Sequence, residues 1–248
     1  MANARFLTAA WHNLAMINYE VDASVLQPYV PAGTTLDSWQ GRYFASLVGF
    51  QFLHTKVLGI PIPFHRNFEE INLRFYVRRE VGGEVRRGVV FIRELVPRLA
   101  IALVARAMYN EPYRALPMRH MVALEPALTA SYSWRLRGRW NCFGVAAQRP
   151  SALPRVGSLE EFITEHYWGY TRQRDGSTIE YQVTHPQWPV SGGVAEVDAD
   201  LAALYGPDIA RHLQTPASCF IAQGSEIAVM RPARFHSLHN ATMRPTIP

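Results

Sequence analysis

The residues with the most chemistry to offer stand at alternate positions of one segment, Phe68 to Arg79: Glu70, Asn72 and Arg74, followed by Tyr76 and Arg78. A carboxyl can give or take a proton, a carboxamide can donate and accept, and a guanidinium can grip a carboxylate through two parallel N–H bonds. Alternate positions of a strand share one face at intervals of ~6–7 Å, so these groups would project side by side. The intervening Ile71, Leu73, Phe75 and Val77 are apolar, and such strict alternation predicts a β-strand. Its polar face has two readings. It is a wet outer surface, or it lines a cavity in which charged groups must be paired or hydrated. The residues alone leave both open.

Two histidines are further candidates for contact with a ligand. His12 lies in a predicted strand, Ala10 to Tyr19, and His185 opens the loop His185-Pro186-Gln187-Trp188-Pro189. A lone imidazole serves a structural hydrogen bond as readily as a ligand. His65 belongs to no His-x-x-x-His or His-Glu-x-x-His pattern, and His236 and His239, though spaced i, i+3, sit near the C-terminus without nearby acids, so no metal or cofactor is expected. Neither a glycine-rich nucleotide loop nor a Gly-x-Ser-x-Gly elbow is present. Cys142 and Cys219, the two cysteines, read as core residues rather than as a disulfide or a zinc pair.

Composition narrows the partners. The formal charge is +5, but Lys56 is the single lysine among 25 basic residues, and the arginines are scattered. Dense mixed patches are what grip a phosphate backbone, so no nucleic-acid partner is expected. No apolar run reaches the ~18 residues that would span a bilayer, and Trp11-His12-Asn13 interrupts any signal-peptide core. A cytoplasmic protein without a membrane partner is expected. Homo-oligomerisation is left open.

The elements that must position the candidates follow from pattern and punctuation. Strands are predicted over Ala10 to Tyr19, Arg42 to Leu58, the polar-faced segment, Gly88 to Leu95, Met121 to Leu124, Ala130 to Leu136, Trp140 to Ala147 and Ser177 to Thr184. Gly82-Gly83 marks a hairpin, and a second is expected around Gly224-Ser225, between Ser218 to Gln223 and Glu226 to Met230. Pro97 opens a predicted helix over Arg98 to Tyr109, and Ser158 with Glu161 forms a capping box for a helix to about Trp168. Asp198 to Leu213 reads as helix broken at Gly206-Pro207. Asp22 is placed to cap a short helical turn, and Ala233 onward reads as a tail. The sum is a mainly β (α+β) chain, a mainly antiparallel β-architecture with about three peripheral helices, in a single domain over residues 1–232 with a tail over 233–248.

The segment Phe68-Glu69-Glu70-Ile71-Asn72-Leu73-Arg74-Phe75-Tyr76-Val77 resembles the Phe-x-Glu-x-Asn-x-Arg-x-Tyr-Val signature of the DUF2071 (YqjF-like) family. Asp22 to Pro31, Pro112-Tyr113-Arg114-Ala115 and His185 to Pro189 match it too, in order along the chain. That family is related to the acetoacetate decarboxylase-like superfamily, and the resemblance implies a β-barrel or cone around a small-molecule pocket. The decarboxylases carry an aromatic-x-Glu motif, matched by Phe68-Glu69-Glu70, whose Glu enters the pocket. They also carry an Arg followed six residues on by Pro-Lys-Lys, whose first Lys forms a Schiff base. Here Arg106 is followed by Pro112, but Tyr113 and Arg114 replace the lysines. Guanidinium stays protonated and cannot take over the imine chemistry.

The resemblance therefore implies lining by Glu70 rather than surface, and excludes decarboxylation through a protein imine. Glu70 and Tyr113 are expected to supply acid–base chemistry of the lyase, hydratase or isomerase type. Asn72, Arg74, Arg106, Arg114, His12 and His185 are expected to bind a small carboxylate or oxo acid. The alternative is a non-enzymatic interaction protein, with those groups exposed.

Overall fold

The computed structural model describes residues 4–102, 110–148 and 150–236. The first half of the chain forms β1 (Arg5–Glu20), β2 (Thr35–Leu36), β3 (Phe44–Val57), β4 (Ile60–Pro61), β5 (Phe68–Val81), β6 (Glu84–Val96) and β7 (Tyr113–Ala115). The second half adds β8 (Met118–Ala123), β9 (Leu128–Leu136), β10 (Arg139–Ala147), β11 (Trp168–Arg172), β12 (Thr178–Thr184), β13 (Val190–Asp198), β14 (Ser218–Met230) and β15 (Ala233–Phe235). Short helices intervene: α1 (Ala23–Leu26), α2 (Leu159–Thr164), α3 (Leu201–Tyr205) and α4 (Pro207–Ala210).

The strands run in the order β12-β11-β6-β5-β3-β1-β14, and β12 pairs again with β14, which closes a ring of seven strands. From β14 the sheet continues outward through β13, β10, β9 and β8 as a wing. Pairing is antiparallel as expected except that β6 runs parallel to β11 and to β7. No described helix is long and apolar enough to cross a membrane.

The predicted alternation in β5 holds, but neither side is wet along most of its length. Ile71, Leu73, Phe75 and Val77 join a core with Tyr132, Trp134 and Phe143 of the wing and Leu204 and Ile209 of the helices. The other side of β5 faces the interior of the ring, where Phe44, Phe50, Phe52, Phe68 and Trp188 pack. Burying both faces removes the aqueous option for Glu70, Asn72 and Tyr76, while Arg74 is half-buried and Arg78, nearer the hairpin, is exposed.

Several expectations change. Gly82 and Gly83 turn the β5–β6 hairpin with φ of 57° and 83°, as predicted. Gly224, at φ 81°, turns nothing: it is a kink inside the continuous β14, opposite His12 and beside Asn13 at φ 56°. Strands β11 and β13 stand where no strand is predicted, and both contain glycines. Those glycines permit close approach, since a Cβ on Gly169 would stand 2.2 Å from the Tyr181 ring and one on Gly193 2.3 Å from the Ala146 carbonyl. The Ser158 cap forms, its hydroxyl accepting from the Glu161 amide at 3.2 Å, but α2 ends at Thr164 rather than near Trp168. Ala233–Phe235, expected to begin a tail, pairs with β12. Of the helix predicted over Arg98 to Tyr109, residues 99–102 are helical, while 103–109, including Arg106, lie outside the described residues.

Candidate functional site

Within the ring lies a cavity of roughly 550 Å³, walled mainly by apolar and aromatic side chains such as Trp11, Phe50, Phe68, Phe91 and Trp188. Exposed Leu58 and Ile62 belong to its lining and set its rim. Its polar groups come from a few register positions. Asn72 of β5 pairs with Glu94 of β6, and Glu94 with Tyr113 of β7, so these three share one row on the inner face. Glu70 is two residues from Asn72 on the same face, and Glu111 precedes the row by way of Pro112.

The result is a buried cluster of three carboxyls around one phenol. Glu70 Oε2 accepts from the Tyr113 hydroxyl at 2.9 Å and Oε1 from Asn72 Nδ2 at 3.0 Å. Glu94 also meets the Tyr113 hydroxyl, and its Oε2 is buried with no hydrogen-bond partner among the described residues. Glu111 Oε1 accepts from the Tyr181 hydroxyl at 2.5 Å and from Thr171 at 3.3 Å. Burial raises Glu70 to about 7 against its hydrogen bonds from Asn72 and Tyr113, and repulsion from Glu111 adds to the rise. Burial likewise lifts Glu111 to about 7 and Glu94 well above the ordinary carboxyl range. These are acids that hold or share protons near neutrality, the condition for proton transfer.

Arg74 is the one arginine of this wall among the described residues. Its Nη2 donates to the Ile163 carbonyl at 3.5 Å, while its Nε is buried without a hydrogen-bond partner among the described residues. His185 also lines the cavity, stacked on Trp188 at 3.9 Å between ring centres, and burial lowers its pKa.

The structure thus brings together Glu70, Asn72, Arg74, Tyr113 and His185. It does not bring in His12, which lies outside the cavity lining with Nδ1 3.3 Å from the Gln223 carbonyl. Arg114 is also outside, because strand alternation in β7 turns it away when Tyr113 points in. Tyr76 is buried beside the cavity rather than lining it, its hydroxyl 2.6 Å from Ser46 Oγ. The surface alternative does not describe this face, since Glu70 and Asn72 are 3% and 1% exposed.

Sequence reasoning missed Glu94, Glu111 and His166. His166 lines the cavity with Nε2 3.1 Å from the buried Asp37 carboxylate. Glu94 had a signal in the β5–β6 hairpin register, but a bulge between Leu73 and Arg74 shifts that register by one. Counted from the turn without the bulge, Asn72 would face Arg93.

The carboxyl cluster sets a pH dependence of stability. Glu70 and Glu111, raised from 4.5 to about 7, keep protons in the folded state that the unfolded chain has released, so stability falls as pH rises through that window. His166 acts oppositely: burial lowers it from 6.5 to about 4, so its contribution grows with pH until 6.5 and is constant above. Between about pH 6.5 and 8 the carboxyls act without that opposition. We expect the melting temperature to fall across this range, and Glu111→Gln to flatten the slope. A wild-type curve that rises there would contradict the assignment.

The DUF2071 family model, described as an uncharacterized conserved protein, matches residues 8–226. The chain belongs to the DUF2071 family. A curated relative, the uncharacterized protein YqjF of Bacillus subtilis (strain 168), is 27% identical over 195 residues, 77% of each chain. Among solved structures, acetoacetate decarboxylase from Legionella pneumophila superposes with a TM-score of 0.69 at 12% identity, covering 95% of this chain and 89% of that one. An acetoacetate decarboxylase-like enzyme from Sphingomonas wittichii RW1 gives 0.65 at 14% identity, covering 96% and 95%. The enduracididine biosynthesis enzyme MppR, in its complex with pyruvate, gives 0.64 at 13% identity, covering 94% and 91%. The DUF2071 chain therefore has the acetoacetate decarboxylase-like fold.

Proposed function

We propose that this DUF2071 protein binds a small oxo acid with an apolar chain and moves a proton at the carbon beside its carbonyl, without a protein imine. The observation that carries the reading is Glu70: a carboxyl with a pKa near 7, bonded to Tyr113 and Asn72, in the same wall as Arg74. In this scheme Arg74, on the cavity lining, holds the ligand carboxylate through its guanidinium N–H donors. Glu70, as carboxylate, takes the proton from C3, and the C–H pair becomes the C2=C3 bond. The carbonyl π pair passes to oxygen, which takes a proton from the neutral carboxyl of Glu94 and leaves an enol. A protonated buried acid is a strong donor to a developing oxyanion. An enol or enolate of this kind is an intermediate open to lyase, hydratase and isomerase reactions on oxo acids.

The missing amine supports the imine-free route. Tyr113 stands at the position matched to the Schiff-base lysine, and Lys56, the sole lysine, is exposed on β3 outside the cavity lining. The pyruvate complex of MppR, on the same fold, supports an oxo acid as the ligand class. The aromatic walls favour a ligand larger and less polar than pyruvate.

Calorimetric titration with phenylpyruvate tests the binding half. Arg74→Gln should weaken binding by about 10- to 100-fold, the range of a lost charge-assisted hydrogen bond. Equal affinity in the variant would remove Arg74 as anchor. Failure of phenylpyruvate and a broad set of oxo acids to bind the wild type would overturn the reading.

A further inference from the structure

The mouth of the cavity carries large apolar side chains that face solvent. The hairpin of β3 and β4 turns at Leu58 and Gly59, and the chain then runs through Ile60, Ile62 and Phe64 towards β5. Leu58 and Ile62 line the cavity and are exposed at once. Ile60 is 64% exposed and Phe64 88%, so the Phe64 ring stands almost clear of the protein. Leu99, also exposed, adjoins Ala100 and Ile101, which line the cavity from a second segment. Pro61 and Pro63 fix φ within the loop, so holding these side chains outward costs less entropy. Apolar residues exposed together, rather than scattered singly, mark a surface that meets another body.

Charge says what kind of body. Three segments supply this side of the mouth: the start of β1, where the Phe6 carbonyl accepts from Leu58 N at 2.8 Å, the apolar loop with its flanks, and residues 98–102. Residues 1–19, 38–68 and 95–110 contain no Asp or Glu. Arg5, Lys56, Arg66 and Arg98 are exposed on them, and none has an ion-pair partner among the described residues. The acids that bound these segments in sequence are engaged or buried: Glu20, Asp37 and Glu69 are paired, and Glu94 and Glu111 are inside. A second copy of this chain would bring the same cations against themselves across a two-fold contact, which repels. An anionic lipid surface suits both parts, because its headgroups attract the cations and its acyl region accepts the apolar tips.

The geometry points to docking of the cavity mouth on an anionic membrane surface, with Ile60 and Phe64 entering the boundary between headgroups and acyl chains and Arg5, Lys56, Arg66 and Arg98 at headgroup level. The expectation of no membrane partner rested on the want of a spanning segment, which docking of this kind does not need. The cavity then opens towards the lipid, and a ligand with an apolar chain passes between the two without crossing water. This goes beyond the oxo-acid reading and does not depend on it.

The test is co-sedimentation of the full chain with phosphatidylcholine vesicles, with and without phosphatidylglycerol. Wild type should sediment with the anionic vesicles, stay in solution with the neutral ones, and be released as NaCl rises. Phe64→Ser should weaken binding about tenfold, and Lys56→Gln and Arg66→Gln about fivefold each. Val156→Ser changes an equally exposed apolar residue outside the cavity lining and should bind like wild type. Each replaced side chain is exposed, so none of these variants should move the melting temperature. Wild type that ignores anionic vesicles, binds neutral ones equally, or keeps its affinity in Phe64→Ser overturns the inference. So does a dimer in sedimentation velocity that Phe64→Ser dissolves, which would give the patch to a second copy. The Glu70 reading stands in each case, because its titrations use soluble acids and no lipid.

Discussion

Replacing Glu70 by Gln is expected to slow protein-catalysed exchange of the C3 protons of phenylpyruvate with solvent deuterium by about two to four orders of magnitude. The carboxamide has the size and shape of the protonated carboxyl but cannot take a proton, so binding should change little while exchange collapses. Because ionising Glu70 in the fold is costly, the variant should also be more stable than wild type above neutral pH. The neighbour Glu69 supplies the control. It lies on the opposite face of β5, bonded to His120 Nδ1 at 2.6 Å, outside the cavity lining. Glu69→Gln should therefore exchange like wild type. Equal rates for wild type and Glu70→Gln would remove Glu70 from the chemistry.

The second large effect concerns the frame rather than the chemistry. Gly224→Ala should lower stability by about 3 kcal/mol, from about 1–2 for a side chain at positive φ and about 1–3 for overpacking. A Cβ there would stand 1.9 Å from the Trp11 carbonyl oxygen, on a strand bonded along its length to β14. Neither strand can retreat without opening the ring at the point where Trp11 enters the cavity. For a chain of this size the loss corresponds to roughly 6–12 °C in melting temperature. Gly82→Ala is the comparison, since φ is also positive but no atom lies within 4 Å of the added carbon. Thermal melts should separate the two variants by several degrees. Similar melting temperatures would show that the contact with Trp11 relaxes freely.

What could be read in advance, and what could not, follows from the range of the signals. The β5 alternation and the Gly82-Gly83 turn are local, and both appear where the pattern put them. The same pattern could not say that both faces of β5 are covered, because the cover comes from β8–β10 and the ring, far away in sequence. One glycine misled: at Gly224 a positive φ serves a kink instead of the expected turn. Strands β11 and β13 were not predicted, and in them Gly169 and Gly193 allow close packing that a side chain would block.

The site divides along the same line. Glu70, Asn72 and Arg74 were legible because strand periodicity places them together. Tyr113 came from the family resemblance, and the alternation that turns it inward turns Arg114 away. Glu94 was hidden by a one-residue bulge, Glu111 lies two residues before Tyr113 where no strand is predicted, and the Asp37–His166 pair meets the site through tertiary packing.

The central claim, that Glu70 moves a proton on an oxo acid in this cavity, is tested most directly by the pH profile of that C3 exchange. With the spontaneous rate subtracted, kcat/KM should rise with pH and level off around an apparent pKa near 7, since the carboxylate is the active form. Glu70→Gln should abolish the rise. A protein-dependent rate that is flat across pH, or a rise that persists in Glu70→Gln, would contradict the account.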